Sequence, residues 1–222
     1  MKQKQYVLPL LLSIIAVAVL AMGCPQAELP STVLAESTVV FANGTSMIKL
    51  LGCPTFINSA NGIGDGTITF VSSSPSVATV DPVTGEVTVL AVGHTEITAT
   101  KAATSIHASA SAAYTLRVQD YVTLHYSRVS GSLEDWGLHL WQNNNAFTTW
   151  ANPLMPAGYD DFGSYFFIST SLYTFFDTNQ PFNFIIHDGD NKDPNADLVF
   201  DCTLSAEAWV ISGISTVYLQ KP

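Results

Sequence analysis

Between Thr67 and Thr100 the chain reads as short runs of alternating polarity, each closed by a turn signal, and no helix of useful length fits the same residues. Thr67-Ile68-Thr69-Phe70-Val71, Val77-Ala78-Thr79-Val80, Glu86-Val87-Thr88-Val89-Leu90 and Thr95-Glu96-Ile97-Thr98-Ala99-Thr100 alternate as a strand with one buried face must. Ser73-Ser74-Pro75-Ser76 and Asp81-Pro82-Val83-Thr84-Gly85 separate them, with proline presetting φ and glycine accepting positive φ. Short strands that recur at intervals of about eight to twelve residues define an all-β sandwich.

Composition narrows the function classes. The 222 residues carry 8 Lys+Arg against 18 Asp+Glu, a formal net charge of -10. A phosphate backbone is held by clustered Lys and Arg, so no nucleic-acid partner is expected. Aromatic residues at 11% supply ample apolar surface to bury, which argues against disorder. Only 12% of residues are charged, against about 25% in typical soluble domains, so Ser, Thr, Asn and small apolar residues must cover the surface, as in exported β-proteins.

At the N-terminus, Lys2 and Lys4 precede an apolar run from Val7 to Met22, followed by Gly23-Cys24. This is the layout of a secretory signal. It resembles a bacterial lipoprotein signal, which implies that Cys24 is lipidated and becomes the new N-terminus; an uncleaved anchor is the alternative, although Pro9 and Ser13 interrupt a run shorter than the about 20 apolar residues a spanning helix needs. Either way the protein is expected to be exported and held at a membrane of the cell envelope or cell surface. With Cys24 modified, Cys53 and Cys202 remain, either as a disulfide or as two independent thiols.

The segment GDGTITFVSSSPSVATVDPVTGEVTVLAVGHTEITATKA, Gly64 to Ala102, resembles the group 2 bacterial Ig-like domains, and the likeness extends from about Thr38 to Val118. Such domains have no catalytic residues to carry over, so the resemblance implies a spacer or adhesion module.

From Tyr121 onward the composition shifts: all 4 tryptophans and six of the 8 tyrosines fall in the last hundred or so residues. In Trp136-Gly137-Leu138-His139-Leu140-Trp141, strand alternation places Trp136, Leu138 and Leu140 on one face and His139 and Trp141 on the other. The first set suits a core. The second is either a stacking surface for flat apolar faces such as those of sugars or the buried side of the strand; alternation alone does not choose. Trp209, like Trp136, is expected in the core.

YVTLHYSRVSGSLEDWGLHLW, PLMPAGYDDFGSYFFI, FNFIIHDGDNKD and AEAWVISGISTVYLQKP, in that order over Tyr121 to Pro222, resemble the pullulanase-associated domain, carbohydrate-binding module family 41. That resemblance implies a β-sandwich binding α-1,4/α-1,6-glucans such as pullulan, amylopectin and glycogen. By the family pattern, Trp141 is the second stacking aromatic, His139 stands where the first is often Trp, and Lys192 and Asp193 form the pair that hydrogen-bonds sugar hydroxyls. Lys donates and an ionised Asp only accepts, so together they serve a vicinal diol.

Other acidic groups point elsewhere. Asp188, Asp190, Asp193 and Asp197 lack the spacing of a twelve-residue calcium loop, and a solvated turn is expected rather than a metal site. Asp160 and Asp161 are adjacent, so on an extended chain their carboxyls point apart; turn formation ahead of Phe162-Gly163 is expected rather than glycosidase chemistry. There is no nucleophile motif of the GxSxG kind. The sequence therefore predicts an all-β protein with a signal peptide at 1–23, a linker at 24–36, an Ig-like domain at 37–119 and a glucan-binding domain at 120–222. The expected function is non-catalytic, without cofactor or metal, with an α-glucan and a membrane lipid anchor as partners and a separate glycoside hydrolase as a further one. The alternatives are the targeting portion of a pullulanase and an adhesion protein without sugar binding.

Overall fold

The computed structural model describes residues 33–222 apart from Thr174. The signal segment, Cys24 and most of the linker therefore lie outside the described residues. The described residues are all-β, as expected, and no helix among them is long and apolar enough to cross a membrane.

The first half contributes β1 (Val40–Phe41), β2 (Ser46–Leu50), β3 (Phe56–Ile57), β4 (Ala60–Asn61), β5 (Ile68–Ser72), β6 (Ala78–Val80), β7 (Glu86–Val89), β8 (Gly93–Lys101) and β9 (Ala110–Gln119). One sheet runs β2-β9-β8-β5 and a second runs β3-β7-β6, with β1 and β4 paired beside them. The inward residues Ala78, Val87 and Ile97 of the alternating runs, with Tyr114 and Leu116 of β9, make the core between the sheets. The turn at Asp81 follows from its residue types. Its Oδ1 accepts the backbone N–H groups of Val83 and Thr84 at 2.9 and 2.7 Å, and Gly85 takes the left-handed φ of 75° needed to start β7. A Cβ on Gly85 would also lie 3.0 Å from the Phe70 ring, so the position is closed to side chains on two grounds.

The second half adds β10 (Tyr121–Ser127), β11 (Gly137–Gln142), β12 (Asn145–Ala146), β13 (Gly158–Tyr159), β14 (Ser164–Ser169), β15 (Phe182–Asp188), β16 (Asn191–Lys192), β17 (Leu198–Phe200), β18 (Glu207–Ile211) and β19 (Val217–Tyr218). Its two sheets run β13-β14-β10-β18-β19 and β12-β11-β15-β16, with β17 also on β15. Val122, Leu124, Tyr126, Phe166, Ile168, Ala208 and Val210 face Leu138, Leu140, Phe182, Phe184, Ile186 and Phe200 across the sandwich, all fully or almost fully buried.

Only Asp120 separates β9 from β10, and the two halves pack together. Leu50 of β2 is fully buried in the second core. The Ala206 N–H donates to Ile48 O at 3.2 Å, and Lys49 Nζ donates to the carbonyls of Thr203 and Leu204 at 2.7 and 2.9 Å. Gln119 Nε2 donates to Tyr121 O at 2.8 Å, and Thr178 Oγ1 donates to Gly52 O at 2.9 Å. Cys53 and Cys202 are both free thiols, and burial pushes Cys202 up to about 12, where it stays protonated and unreactive at neutral pH.

Strand alternation on β18 corrects one expectation. Ala208 and Val210 take the core positions, which turns Trp209 outward instead of inward. On that outer face the Trp209 indole lies parallel to the His125 imidazole, with centroids 5.2 Å apart and planes 6° apart. His125 is held on both ring nitrogens, Nδ1 to Asp160 Oδ2 at 2.8 Å and Nε2 to Glu207 Oε1 at 3.0 Å. Asp160 also makes the expected turn, its Oδ1 accepting from the N–H groups of Phe162 and Gly163. Burial alone would lower the His125 pKa, but the hydrogen bonds and charges of Glu207 and Asp160 outweigh it and raise the pKa above 6.5. A folded-state pKa above the unfolded one means stabilisation that is fully present below about pH 6.5 and is lost as pH rises through the folded value. The melting temperature should accordingly fall as pH rises from about 6 to 8, and the slope should flatten in His125→Phe, which keeps a ring against Trp209. An unchanged slope in that variant would assign the pH dependence to another group.

Candidate functional site

β11 and β15 pair antiparallel, with His139 opposite Ile185 and Trp141 opposite Asn183. Leu138 and Leu140 fill the core from β11, so His139 and Trp141 emerge together on the outer face, only partly buried. Asn143 and Asn144, with φ of 49° and 66°, form a tight turn of the kind that matches strand twist, and it folds β12 back against Trp141. Thr148 then ties the following loop to β11: its Oγ1 accepts from the Leu140 N–H at 2.8 Å and donates to Leu138 O at 3.2 Å.

That loop delivers Trp150, which lies flat on His187 of β15, with centroids 3.9 Å and planes 11° apart. His139 is 5.5 Å from Trp141 with planes inclined by 31°, and meets Trp150 edge to face at 5.9 Å. The three rings are the wall of a groove of about 420 Å³, lined further by Ile185, Lys192 and Asp197. Lys192 Nζ lies 5.6 Å over the Trp150 ring and 3.8 Å from Asp197 Oδ1. Burial lowers the His139 pKa, the neighbouring His187 and Lys192 lower it further, and Asp197 opposes them. His139 is thus a neutral ring at neutral pH, suited to apolar contact.

Three of the four side chains expected to meet a ligand, His139, Trp141 and Lys192, are brought together here. Asp193 is not, and its place beside Lys192 is taken by Asp197. The reason is alternation: Lys192 ends β16 facing outward, so the next residue turns inward. The Asp193 carboxylate, mostly buried, accepts hydrogen bonds from Arg128 at 2.7 Å, from the Gly213 N–H at 2.6 Å, and from the hydroxyls of Tyr126 and Ser212. Burial works against its ionisation, but those donors together hold its pKa below the usual carboxylate value. Arg128 in turn stacks on Trp136 at 4.0 Å. Asp193 is thereby committed to holding the end of the sandwich.

Sequence reasoning missed Trp150, and it took Asp197 for part of a solvated turn. Neither lies on a strand long enough to show periodicity, and the crowding of tryptophans into this half was the one available signal for Trp150. Asp188 and Asp190 flank a turn with Gly189 at φ 53°, and among the described residues no group of three or more His, Cys, Asp or Glu could hold a metal ion.

The described chain is thus an all-β protein of two packed sandwiches with an aromatic groove on the second. Comparison with known families finds a likeness in each: residues 120–219 match the bacterial pullanase-associated domain, and residues 54–103 match the intimin immunoglobulin-like domain. The latter is Ig-like, as the sequence led us to expect, under a different family description. An α-amylase of Streptomyces lividans is 36% identical over 70 residues, which is 32% of this chain and 7% of the amylase; the chain thus corresponds to a small part of that relative. Family 41 carbohydrate-binding modules from streptococcal virulence factors, solved in a study of α-glucan recognition, align over 83% of this chain and 97% of theirs at 12% identity and TM-score 0.40. A multi-modular glycogen-degrading pneumococcal virulence factor aligns over 82% of this chain and 21% of its own at 13% identity and TM-score 0.39.

Proposed function

We propose that this protein binds α-glucan chains without cleaving them, through the groove of His139, Trp141, Trp150, Lys192 and Asp197. The observation that carries the reading is the inclined pair of His139 and Trp141 on one strand face, with a lysine and a carboxylate within reach. Rigid rings offer apolar faces to sugar C–H groups at small entropic cost, and Lys192 and Asp197 supply a donor and an acceptor for neighbouring hydroxyls. The match to the pullanase-associated domain and the identity with an α-amylase segment favour α-linked glucose polymers as the ligand. In this reading the Ig-like half is a stalk, and lipidated Cys24 holds the exported protein at the cell envelope. The amylase match also favours a second arrangement, in which these modules target a glucan-degrading enzyme to its substrate.

Affinity electrophoresis of the protein in gels containing pullulan, glycogen or cellulose tests the proposal. Retardation by the two α-glucans and not by cellulose is expected, and equal mobility in all gels would refute it. Within the same assay, His139→Trp should increase retardation by adding stacking area. Lys192→Ala should weaken binding by about 1 kcal/mol, roughly fivefold, through lost hydrogen bonds to hydroxyls.

A further inference from the structure

A larger cleft, of about 720 Å³, lies where the Ig-like half meets the outer face of the β10 sheet. Its size is that of a ligand site. Phe56, Ser46 and Asn43 line it from the first half, and Trp209, Ser205 and Gln220 from the second. It is separate from the groove: Trp209 emerges from the outer face of one sheet of the sandwich, and His139 and Trp141 from the outer face of the other.

The charges around the cleft are already spent. Lys49 Nζ is bound to the Thr203 and Leu204 carbonyls and lies 4.6 Å over the Phe56 ring. Lys221 is paired with Asp161 at 2.7 Å, and Glu207 with His125 at 3.0 Å. Each charged side chain lining the cleft is thus engaged by a neighbour, and a protein of net charge -10 repels polyanions. What remains is apolar surface, from Met47, Ile48, Ile57, Leu204 and Leu219 as well as the two aromatic rings, beside neutral donors and acceptors. Trp209 is also preorganised, because His125 covers one face of it and is itself fixed by hydrogen bonds on both nitrogens. A fixed indole loses little freedom on binding.

We propose that this cleft is a second glucan-binding site, in which a sugar ring stacks on Trp209 while Asn43, Ser46, Ser205 and Gln220 meet its hydroxyls. The choice of glucan rests on the function proposed above; the existence of the site does not depend on the groove. Two sites on opposite faces let one molecule hold two stretches of polysaccharide, so that the second engagement is effectively intramolecular and retention rises without stronger contacts.

Maltoheptaose titrated calorimetrically into the full chain tests this. Two sites per chain are expected in the wild type; in Trp141→Ala one keeps its affinity while the other is weakened below detection at the same concentrations, and neither is detected when Trp141→Ala is combined with Ser46→Trp, whose indole fills the cleft. In case the added ring disturbs β2, amide resonances of Ser46, Phe56 and Gln220 should also shift with maltoheptaose in Trp141→Ala alone. A single site abolished by Trp141→Ala, with those resonances unmoved, overturns the second site and leaves the groove standing. A single site kept in Trp141→Ala and lost in Ser46→Trp establishes the cleft and overturns the groove. No binding by the wild type overturns both.

Discussion

Trp141→Ala should cut the groove's affinity for an α-glucan roughly tenfold to a hundredfold while the protein stays folded. The indole projects from the outer face of β11, outside the core made by Leu138 and Leu140, so its removal leaves the core packing in place. Stacking of a flat ring on an aromatic side chain is worth about 1 to 3 kcal/mol, by analogy with bases on aromatics, and about 1.4 kcal/mol is a factor of ten in affinity. Following the Trp150 indole N–H resonance during titration makes the readout local, because Trp150 lines this groove and not the cleft at Trp209. Circular dichroism and thermal unfolding should match the wild type. Unchanged affinity in a folded variant would show that the rings of this face are not where glucan binds.

Asp193→Ala should do the reverse, lowering stability sharply and leaving the affinity of the folded fraction alone. The substitution strips Arg128 of its partner at 2.7 Å and leaves the Tyr126 and Ser212 hydroxyls and the Gly213 N–H without their acceptor. Removing one member of a largely buried ion pair costs about 3 to 5 kcal/mol. The Arg128 side chain keeps 19% of its surface exposed, which favours the lower end of that range. About 3 kcal/mol corresponds to a drop of roughly 6 to 12 °C in melting temperature for a chain of this size. Urea unfolding and glucan titration on the same preparation separate the two roles: full stability with weakened binding would return Asp193 to the ligand.

The contrast between Lys192 and Asp193 shows where sequence reasoning stops. The adjacency that ruled out a shared role for Asp160 and Asp161 applies equally to Lys192 and Asp193, since consecutive residues of an extended chain face opposite ways. The family pattern overrode that argument, and the structure restores it by putting Asp197 beside Lys192 and Asp193 inside. Trp209 fell to a different cause. An apolar aromatic in AEAWVISG suits either face, and only the pairing of β18 with β10 settles that Ala208 and Val210 fill the core.

By itself the sequence determined whatever is periodic or locally encoded. That covers the all-β class, the strands between Ile68 and Lys101 to within about two residues of each end, the turn made by Asp81 and Gly85, and the division of β11 between two faces, Leu138 and Leu140 on one and His139 and Trp141 on the other. These depend on residues within a few positions of one another, where alternation and turn chemistry act directly. Tertiary structure alone decided that Trp150 comes to rest on His187, that Leu50 crosses into the second core, and that a cleft opens between the two halves. Each of these joins residues far apart in the chain through packing, and packing depends on shapes and distances that no spacing along a single chain records.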